Sequence, residues 1–193
     1  MANDERIAAV ILAAGRSSRS APVNKLLHEA GGTPMVRRVA DVALAAGLDP
    51  VIAVTGHQAA AVKAALAGCG AAVADNPDYA RGMGGSIGVG VKALPADVDG
   101  AFIVLADMPD VGAATYGVLV AAFDPDEGAD ICVPVSQGRR GNPVLFGRRH
   151  FPALMAIEGD RGGKAIIAAN EDRIVEVPVD DPGVLADYDD IAG

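Results

Sequence analysis

The sequence predicts an α/β fold, built as a mainly parallel mixed sheet with helices on both faces. Two observations predict it: aliphatic and β-branched runs recur along the chain, and stretches with helical spacing separate them. Strands that alternate with helices of about ten residues are typical of parallel sheets in α/β proteins. The 193 residues fit one domain better than two, so we expect a single domain over residues 1–193.

The predicted elements alternate from the first apolar run to the last. The predicted strands are Ile7–Leu12, Val51–Thr55, Ala71–Ala74, Ala101–Ala106, Asp130–Val135 and Arg173–Val177. The predicted helices are Pro34–Ala46, Gln58–Leu66, Ser86–Ala93, Ala113–Phe123 and Lys164–Ala169. Most of the strands are continuously apolar, which predicts burial on both faces of the sheet. Because ligands bind at the carboxyl ends of strands in such sheets, the loops after the strands are the candidate site.

Composition excludes several classes of protein. The chain has 16 Lys and Arg against 25 Asp and Glu, and its net charge of -9 argues against general binding to nucleic acid or to anionic membranes. Aromatic residues make up only 4% of the chain, too few for stacking on single-stranded nucleic acid. The longest apolar run, Ile7–Ala14, is too short to span a membrane. We therefore expect a cytoplasmic enzyme or binding protein for small molecules.

The charge is distributed unevenly along the chain. Residues 1–40 carry six basic and three acidic groups, whereas residues 171–193 carry one basic and eight acidic groups. The acidic end could be a solvated tail, or both ends could belong to one site. The motifs in each segment bear on this choice.

The loop after the first predicted strand combines small residues, hydroxyls and cations. Its members are Ala13, Ala14, Gly15, Arg16, Ser17, Ser18, Arg19 and Lys25. Small residues let backbone N–H groups approach an anion, and the cations neutralise it, so a polyphosphate would be well matched. Neither GxGxxG nor GxxxxGK[ST] is present, so a dinucleotide-binding or P-loop fingerprint is missing. A glycine turn with solvated cations is the alternative from these residues alone.

This loop resembles a known signature. Leu12-Ala-Ala-Gly-Arg-Ser-Ser-Arg19, followed by Asn24-Lys25-Leu-Leu, is similar to the nucleotide-binding signature of the MobA-like nucleotidyltransferases. The fold of that family is a single three-layer, Rossmann-like nucleotide-diphospho-sugar transferase domain. The resemblance implies that residues 12–17 wrap a triphosphate, which Arg19 and Lys25 neutralise. The family usually has Met-Gly after the arginine, where this chain has Ser-Ala.

A carboxylate ends a strongly apolar predicted strand. Asp107 follows Ala101–Ala106 and precedes Met-Pro. A carboxylate at this position can bind a hard cation, and Mg²⁺ usually takes only one or two carboxylates besides phosphates and water. An ordinary turn residue is the alternative from the sequence alone. Leu-Ala-Asp-Met-Pro resembles the metal-binding motif of the cytidylyltransferase branch, which implies a Mg²⁺ ligand at Asp107.

A second family block lies after the predicted strand Ala71–Ala74. Asn-Pro, followed by Gly82-Met83-Gly-Gly-Ser86-Ile, is similar to a block that lies beside the base and ribose in the family. The resemblance implies that Gly82, Met83 and Ser86 bind the nucleotide. Its place before the predicted helix also suits Ser86 to cap that helix.

Two further blocks resemble molybdenum cofactor cytidylyltransferases. In the segment 139–146, Asn142 stands where the family usually has His, and an amide cannot titrate. In the segment 159–164, Lys164 replaces Arg, so a point charge replaces a planar fork. The first departure argues against any acid–base role that the His plays elsewhere, and the second weakens bidentate recognition of phosphate at that position.

The acidic end has a family counterpart as well. Its first two aspartates align with Asp187 and Asp189, although the Thr-Pro that follows them in the family is missing here. The resemblance implies that one of the two completes a metal site with Asp107. The cationic and acidic ends of the chain would then face one ligand.

Taken in order, the blocks imply a cytidylyltransferase that uses CTP, Mg²⁺ and a molybdopterin-type phosphate acceptor. Its products would be the cytosine dinucleotide cofactor and pyrophosphate. One alternative is an enzyme of the same fold that uses GTP or another phosphorylated acceptor. Another is a noncatalytic carrier that delivers the pterin cofactor to a molybdenum hydroxylase. Arg19, Lys25 and Asp107 favour catalysis, because a carrier does not need a triphosphate site with a metal.

Overall fold

A mixed sheet of eight strands lies at the centre of the fold, and the computed structural model describes residues 5–15 and 24–188. The strands, including a separate two-stranded ribbon, are β1 (Ile7–Ala13), β2 (Glu29–Ala30), β3 (Thr33–Pro34), β4 (Val51–Thr55), β5 (Ala72–Asp75), β6 (Gly100–Leu105), β7 (Ile131–Ser136), β8 (Arg139–Arg140), β9 (Val144–Gly147) and β10 (Ile174–Pro178). The helices are α1 (Met35–Ala45), α2 (Ala59–Leu66), α3 (Met83–Lys92), α4 (Ala113–Ala121), α5 (Phe151–Met155) and α6 (Lys164–Ala169).

The strand order places a switch point beside β1. The order is β10-β7-β9-β6-β1-β4-β5, with β8 paired to β7. β1 pairs in parallel with β4 on one side and with β6 on the other. The chain therefore adds β4 and β5 in one direction and then returns to β6, which opens a crevice at the carboxyl ends of β1 and β6. The predicted α/β fold with a mainly parallel mixed sheet is confirmed.

Side chains that alternate along the strands build two cores. Ile11 of β1 packs with Val39 of α1 and Leu119 of α4 on one face of the sheet. Val10 packs with Ile87 of α3 on the other face, where α5 and α6 also contribute. The domain thus has three layers, helix, sheet and helix. Within the described ranges, no helix combines the length and hydropathy needed to cross a membrane.

Helix α3 lies unusually close to the sheet. A Cβ atom on Gly90 would collide with Val10 and Val54, so glycine is required for this contact. Glycine is a poor helix former, and its use here gives up intrinsic helix stability for close packing. The close approach brings the first turns of α3 to the carboxyl edge of β1.

The structure corrects three predictions about the elements. β9 was not predicted; it is only four residues long and runs antiparallel between β6 and β7. Burial on both faces was predicted for most strands, and β5 is an exception: Val73 is 39% exposed, and β4 is the only strand paired with β5 among the described residues. α3 begins at Met83, so Ser86 lies inside the helix and is not its N-cap.

A buried carboxylate ties the sheet together at the edge opposite the crevice. The side chain of Asp130 is 0% exposed and contacts His150 at 3.0 Å and Arg149 and Arg173 at 3.2 Å each. Replacing Asp130 by Ala leaves the buried His150 side chain and the partly exposed Arg149 and Arg173 without their shared hydrogen-bond acceptor. We expect the free energy of unfolding to fall by about 2–3 kcal/mol, the scale of losing a buried charged hydrogen-bond acceptor whose cationic partners stay partly solvated, as measured by chemical denaturation. The exposed Asp126 is the matched control, and its Ala variant should stay within about 0.5 kcal/mol of the parent. Equal losses of unfolding free energy in both variants would show that the contacts of Asp130 do not stabilise the fold.

Candidate functional site

A cleft of about 540 Å³ opens at the carboxyl ends of β1 and β6. The paired residues Leu12 and Leu105 lie on its floor, one from each strand. The other lining residues are Ala14, Gly15, Lys25, Leu26, Tyr79, Ala80, Arg81, Gly82, Met83, Ser86, Asp107 and Asp160. Its place at the switch point is where α/β sheets bind ligands.

An ion pair occupies one side of the cleft. Lys25 Nζ lies 2.8 Å from Asp107 Oδ2, and the two side chains are 13% and 24% exposed. Lys25 begins a 3-10 turn, which the side chain of Asn24 caps by accepting a hydrogen bond from Leu26 N at 3.1 Å. Two residues that are 82 positions apart in sequence thus form one charged centre.

The predicted nucleotide-binding residues of the first loop divide into three groups. Leu12, Ala14 and Gly15 line the cleft. The side chain of Ala13 points into the core beside α1 and does not line the cleft. The predicted residues outside the described part of the chain are Arg16, Ser17 and Arg19.

The residues predicted beside the base gather at the start of α3. Gly82, Met83 and Ser86 all line the cleft. Gly82 has a φ of 115°, in the region that favours glycine. A Cβ atom there would also collide with the backbone of Gly159. This position therefore requires glycine twice over, for its conformation and for its close approach to the 159–163 loop.

The amino end of α3 is already capped by an anion from the protein. Met83 N donates to Asp160 Oδ1 at 3.1 Å, and Gly84 N donates to the carbonyl of Gly159 at 2.8 Å. Helix amino ends commonly bind phosphate, but a carboxylate at this place repels one. The amino end of α3 is therefore less favourable to an anion than the side of the cleft that carries Lys25.

The acidic end of the chain packs against the loop that carries Asp107. Asp181 accepts hydrogen bonds from Gly112 N at 2.9 Å and from the Thr115 hydroxyl at 2.5 Å. Tyr188 N donates to the carbonyl of Asp107 at 2.9 Å. Up to residue 188 the end is therefore an anchored segment and not a solvated tail.

Tyr188 fastens this segment a second time. Its hydroxyl donates to Asp110 Oδ2 at 2.7 Å, and Arg38 pairs with the other oxygen of Asp110 at 3.2 Å. The hydrogen bond to Asp110 raises the pKa of Tyr188. Asp187 directly precedes Tyr188 and is exposed, and the backbone of Tyr188 is hydrogen-bonded to Asp107. Asp189 lies outside the described residues.

The chemistry of these groups fits a hard divalent cation. Within residues 5–15 and 24–188, no cluster of three or more His, Cys, Asp or Glu is arranged to hold a metal. Mg²⁺ needs only one or two protein carboxylates when phosphates and water complete its shell. Lys25 contacts Oδ2 of Asp107, and the same carboxylate can bind a cation through Oδ1.

A second, smaller pocket adjoins the cleft. It has a volume of about 280 Å³ and shares Met83, Leu105 and Asp160 with the cleft. Its apolar wall comprises Ile87, Ile103, Val144, Phe146 and Ile167, and its polar rim comprises Asn142, Arg161 and Lys164. Asn142 reaches this edge because β9 runs antiparallel to β6 and begins where β6 ends.

Sequence reasoning missed several residues of these pockets. Asp160 and Asn142 were noted only as parts of family blocks, and Tyr79, Arg81 and Arg161 were assigned no role. Tyr79 and Arg81 stand in the short segment between Asn76 and Gly82, so their place in a matched block was the available signal.

The family model of the MobA-like NTP transferase domain matches residues 9–174, which is most of the chain. This chain belongs to the MobA-like NTP transferase family. Membership places it among the nucleotidyltransferases as a class. The matched range includes the first loop, the start of α3 and Asp107.

Similar curated proteins include two that are named bifunctional protein GlmU. The protein from Pelobacter propionicus is 34% identical over 145 residues, which cover 75% of this chain and 31% of that protein. The protein from Sorangium cellulosum is 31% identical over 185 residues, which cover 92% of this chain and 38% of that protein. The MobA-like chain thus spans about a third of the length of these relatives.

Solved structures show the same architecture. Rv0371c from Mycobacterium tuberculosis is 29% identical, with a TM-score of 0.80 over 92% of this chain and 89% of that one. A nucleotidyl transferase from Methanothermobacter thermautotroptrophicus is 26% identical, with a TM-score of 0.83 over 95% and 92%. A complex of Rv0371c with manganese also matches, at 29% identity and a TM-score of 0.76 over 90% and 88%.

Proposed function

We propose that this domain transfers CMP from CTP to the terminal phosphate of a molybdopterin-type acceptor and releases pyrophosphate. One observation carries the proposal: Lys25 and Asp107 form a charged centre 2.8 Å across at the β1–β6 crevice. Family membership supports the general class of reaction. The choice of CTP and of the acceptor rests on the resemblance of the Asp107 and Asn142 segments to molybdenum cofactor cytidylyltransferases.

The charges orient the nucleotide within the cleft. Asp160 repels phosphate from the amino end of α3, whereas Lys25 attracts it to the opposite side. The base then lies beside Met83 and Ser86, and the α-phosphorus lies toward the neighbouring 280 Å³ pocket. Arg19 would add a cation to the triphosphate side, as the family signature implies.

The smaller pocket suits a flat ring that carries a phosphate. Phe146 and Ile103 offer apolar surface to a ring, and Arg161 and Lys164 offer cations to its phosphate. Because Met83, Leu105 and Asp160 border both pockets, an acceptor bound here would face the α-phosphorus of the nucleotide. The reactants would be held in the proximity that this reaction chiefly requires.

The transfer needs no nucleophile from the protein. An oxygen of the acceptor phosphate forms a bond to the α-phosphorus, and the bond from that phosphorus to the bridging β-oxygen breaks, so pyrophosphate leaves with the electron pair. A phosphate monoester has a second pKa of about 6, so the attacking group is largely ionised at neutral pH without a general base. An asparagine at position 142, which cannot titrate, is compatible with this chemistry. Catalysis then depends on positioning and on charge stabilisation.

Mg²⁺ is the proposed metal, held by Asp107 with Asp187 or Asp189. When bound, it would neutralise charge on the phosphates as the pyrophosphate forms. Lys25 would stabilise the same leaving group from its own side of the cleft. The manganese complex of Rv0371c supports divalent metal binding in this fold.

A second candidate is transfer to another phosphorylated acceptor, or from GTP. It is retained because the curated relatives described above are named GlmU and not molybdenum cofactor cytidylyltransferase. A carrier of pterin cofactor for a molybdenum hydroxylase is the noncatalytic alternative. The two transferases both release pyrophosphate and differ in the nucleotide or acceptor that they require, whereas a carrier releases none.

Pyrophosphate release with ATP, CTP, GTP and UTP, each with and without purified molybdenum cofactor, tests the proposal. We expect release that depends on both CTP and the cofactor, together with a cytosine dinucleotide product detectable by mass spectrometry. Release with GTP, or with CTP and a different phosphorylated acceptor, would support the second candidate. Cofactor binding without any release would support the carrier and overturn the transferase proposal.

A further inference from the structure

A buried asparagine contacts the serine that lines the nucleotide cleft. Asn76 follows β5 and is 3% exposed, and Ser86 in α3 is 4% exposed. The Nδ2 atom of Asn76 donates to Ser86 Oγ at 3.0 Å. Of the two, only Ser86 reaches the cleft. A buried polar contact just behind a lining residue can control what that residue offers to a ligand.

The direction of this hydrogen bond is determined independently of the serine. The other end of the amide, Oδ1 of Asn76, accepts from Asp78 N at 3.0 Å. A backbone N–H can only donate, so the oxygen of the amide must face Asp78 and the NH₂ group must face Ser86. The backbone of Asn76 is held as well, because its N–H donates to the Thr55 carbonyl at 2.8 Å.

This direction determines which role Ser86 can play. Its oxygen accepts from Asn76, and Asn76 Nδ2 cannot accept in return. The hydroxyl hydrogen of Ser86 is therefore not used by Asn76 and can be donated into the cleft. Aspartate at position 76 would reverse this, because a carboxylate would take that hydrogen for itself.

We propose that Asn76 is a positioning residue that presents the Ser86 hydroxyl as a hydrogen-bond donor to an acceptor atom of the bound nucleotide. The inference rests on the proposed function, since it assigns the cleft to a nucleoside triphosphate. It identifies the atom opposite Ser86 as a lone-pair acceptor, such as a ring nitrogen or a carbonyl oxygen of the base. The selectivity of Ser86 thus depends on a side chain that the nucleotide does not touch.

Calorimetric titration of CTP, with GTP in parallel, tests this in the parent protein and in Asn76→Asp, Ser86→Ala and the double variant. We expect Asn76→Asp and Ser86→Ala each to weaken nucleotide binding by about fivefold to tenfold, the scale of one neutral hydrogen bond. In the Ser86→Ala background, Asn76→Asp should weaken nucleotide binding further by less than about twofold, because both changes remove the same contact. In Asn76→Asp the loss should appear in the KM for the nucleotide, with kcat changed by less than about twofold, since the contact is made before and during the reaction alike.

The controls separate positioning from folding. Asn170 donates to the Ile166 carbonyl outside the cleft, and Asn170→Asp should leave nucleotide affinity unchanged. Asn76→Ala removes the donor without supplying an acceptor, so its loss of affinity should be smaller than that of Asn76→Asp. If Asn76→Ala weakens binding as much as Asn76→Asp, the role is merely structural and the inference fails.

Two other outcomes are decisive in different ways. Nucleotide affinity unchanged in Asn76→Asp, or effects of the two substitutions that multiply in the double variant, would overturn this inference and leave the proposed function standing. A parent protein that binds none of the nucleotides would overturn the proposed function, and this inference with it.

Discussion

Asp107→Asn should lower pyrophosphate release by about a thousandfold, on the scale of losing a principal electrostatic group in an active site. The carboxylate stands just after β6, where Ala106 N donates to the Leu12 carbonyl of β1 at 3.4 Å and Tyr188 N donates to the Asp107 carbonyl at 2.9 Å. Asparagine keeps the volume and an oxygen that can accept from Lys25, but it removes the charge that would hold a divalent cation. The expected loss is therefore one of chemistry and not of folding.

Two measurements make this test specific. The thermal midpoint should shift by no more than about 4 °C, which corresponds to roughly 1 kcal/mol in a domain of this size. Mn²⁺ binding, followed by electron paramagnetic resonance, should weaken at least about tenfold. Asp126→Asn, on the opposite edge of the sheet, is the matched control and should change neither property. Pyrophosphate release retained in Asp107→Asn would exclude Asp107 from the reaction.

The parts of the fold that could be predicted are those whose signal is local. β1, β4 and β6 are continuous aliphatic runs in the middle of the sheet, so their own residues predict burial on both faces. β9 has four residues and follows Asn-Pro, and it forms a strand because β6 and β7 leave a gap for it. Pairing of that kind is a property of the whole sheet and leaves little trace in a short segment.

Ser86 shows the same limit at the scale of one residue. A serine before an apolar helical stretch is a good N-cap by its own chemistry. The helix nevertheless begins at Met83, because the 159–160 segment supplies carbonyl and carboxylate acceptors to its first N–H groups. The carboxylate acceptor, Asp160, comes from 77 residues away, which no local pattern reveals.

The candidate site divides in the same way. The resemblance to family blocks predicted Lys25 as a cation for the triphosphate and Asp107 as a metal ligand, and the structure places the two side chains in direct contact. Asp187 was predicted from an alignment of the acidic end, whereas the reason it lies near Asp107 is the packing of Tyr188 on Asp107 and Asp110. The hydrogen bond of Tyr188 reaches a residue 78 positions earlier, so this anchoring could not be predicted from the residues around Asp187.

Lys25→Gln is expected to have opposite effects on turnover and on metal affinity. Turnover should fall by about a hundredfold or more, because the leaving pyrophosphate loses a cation. In the nucleotide-free protein, however, Lys25 and a divalent cation compete for the charge of Asp107, which lies 2.8 Å from Lys25 Nζ. Removing the lysine charge should therefore strengthen Mn²⁺ binding, by about fivefold given that both side chains are partly exposed.

The matched control for this variant keeps the charge. Lys25→Arg retains a cation beside Asp107 and should leave Mn²⁺ affinity within about twofold of the parent, although its planar fork cannot reproduce the contacts of a compact ammonium. Mn²⁺ affinity that is unchanged or weaker in Lys25→Gln would contradict the competition. A triphosphate that draws Lys25 away from Asp107 should then strengthen Mn²⁺ binding in the parent protein and do so less in Lys25→Gln, so that nucleotide and metal bind cooperatively.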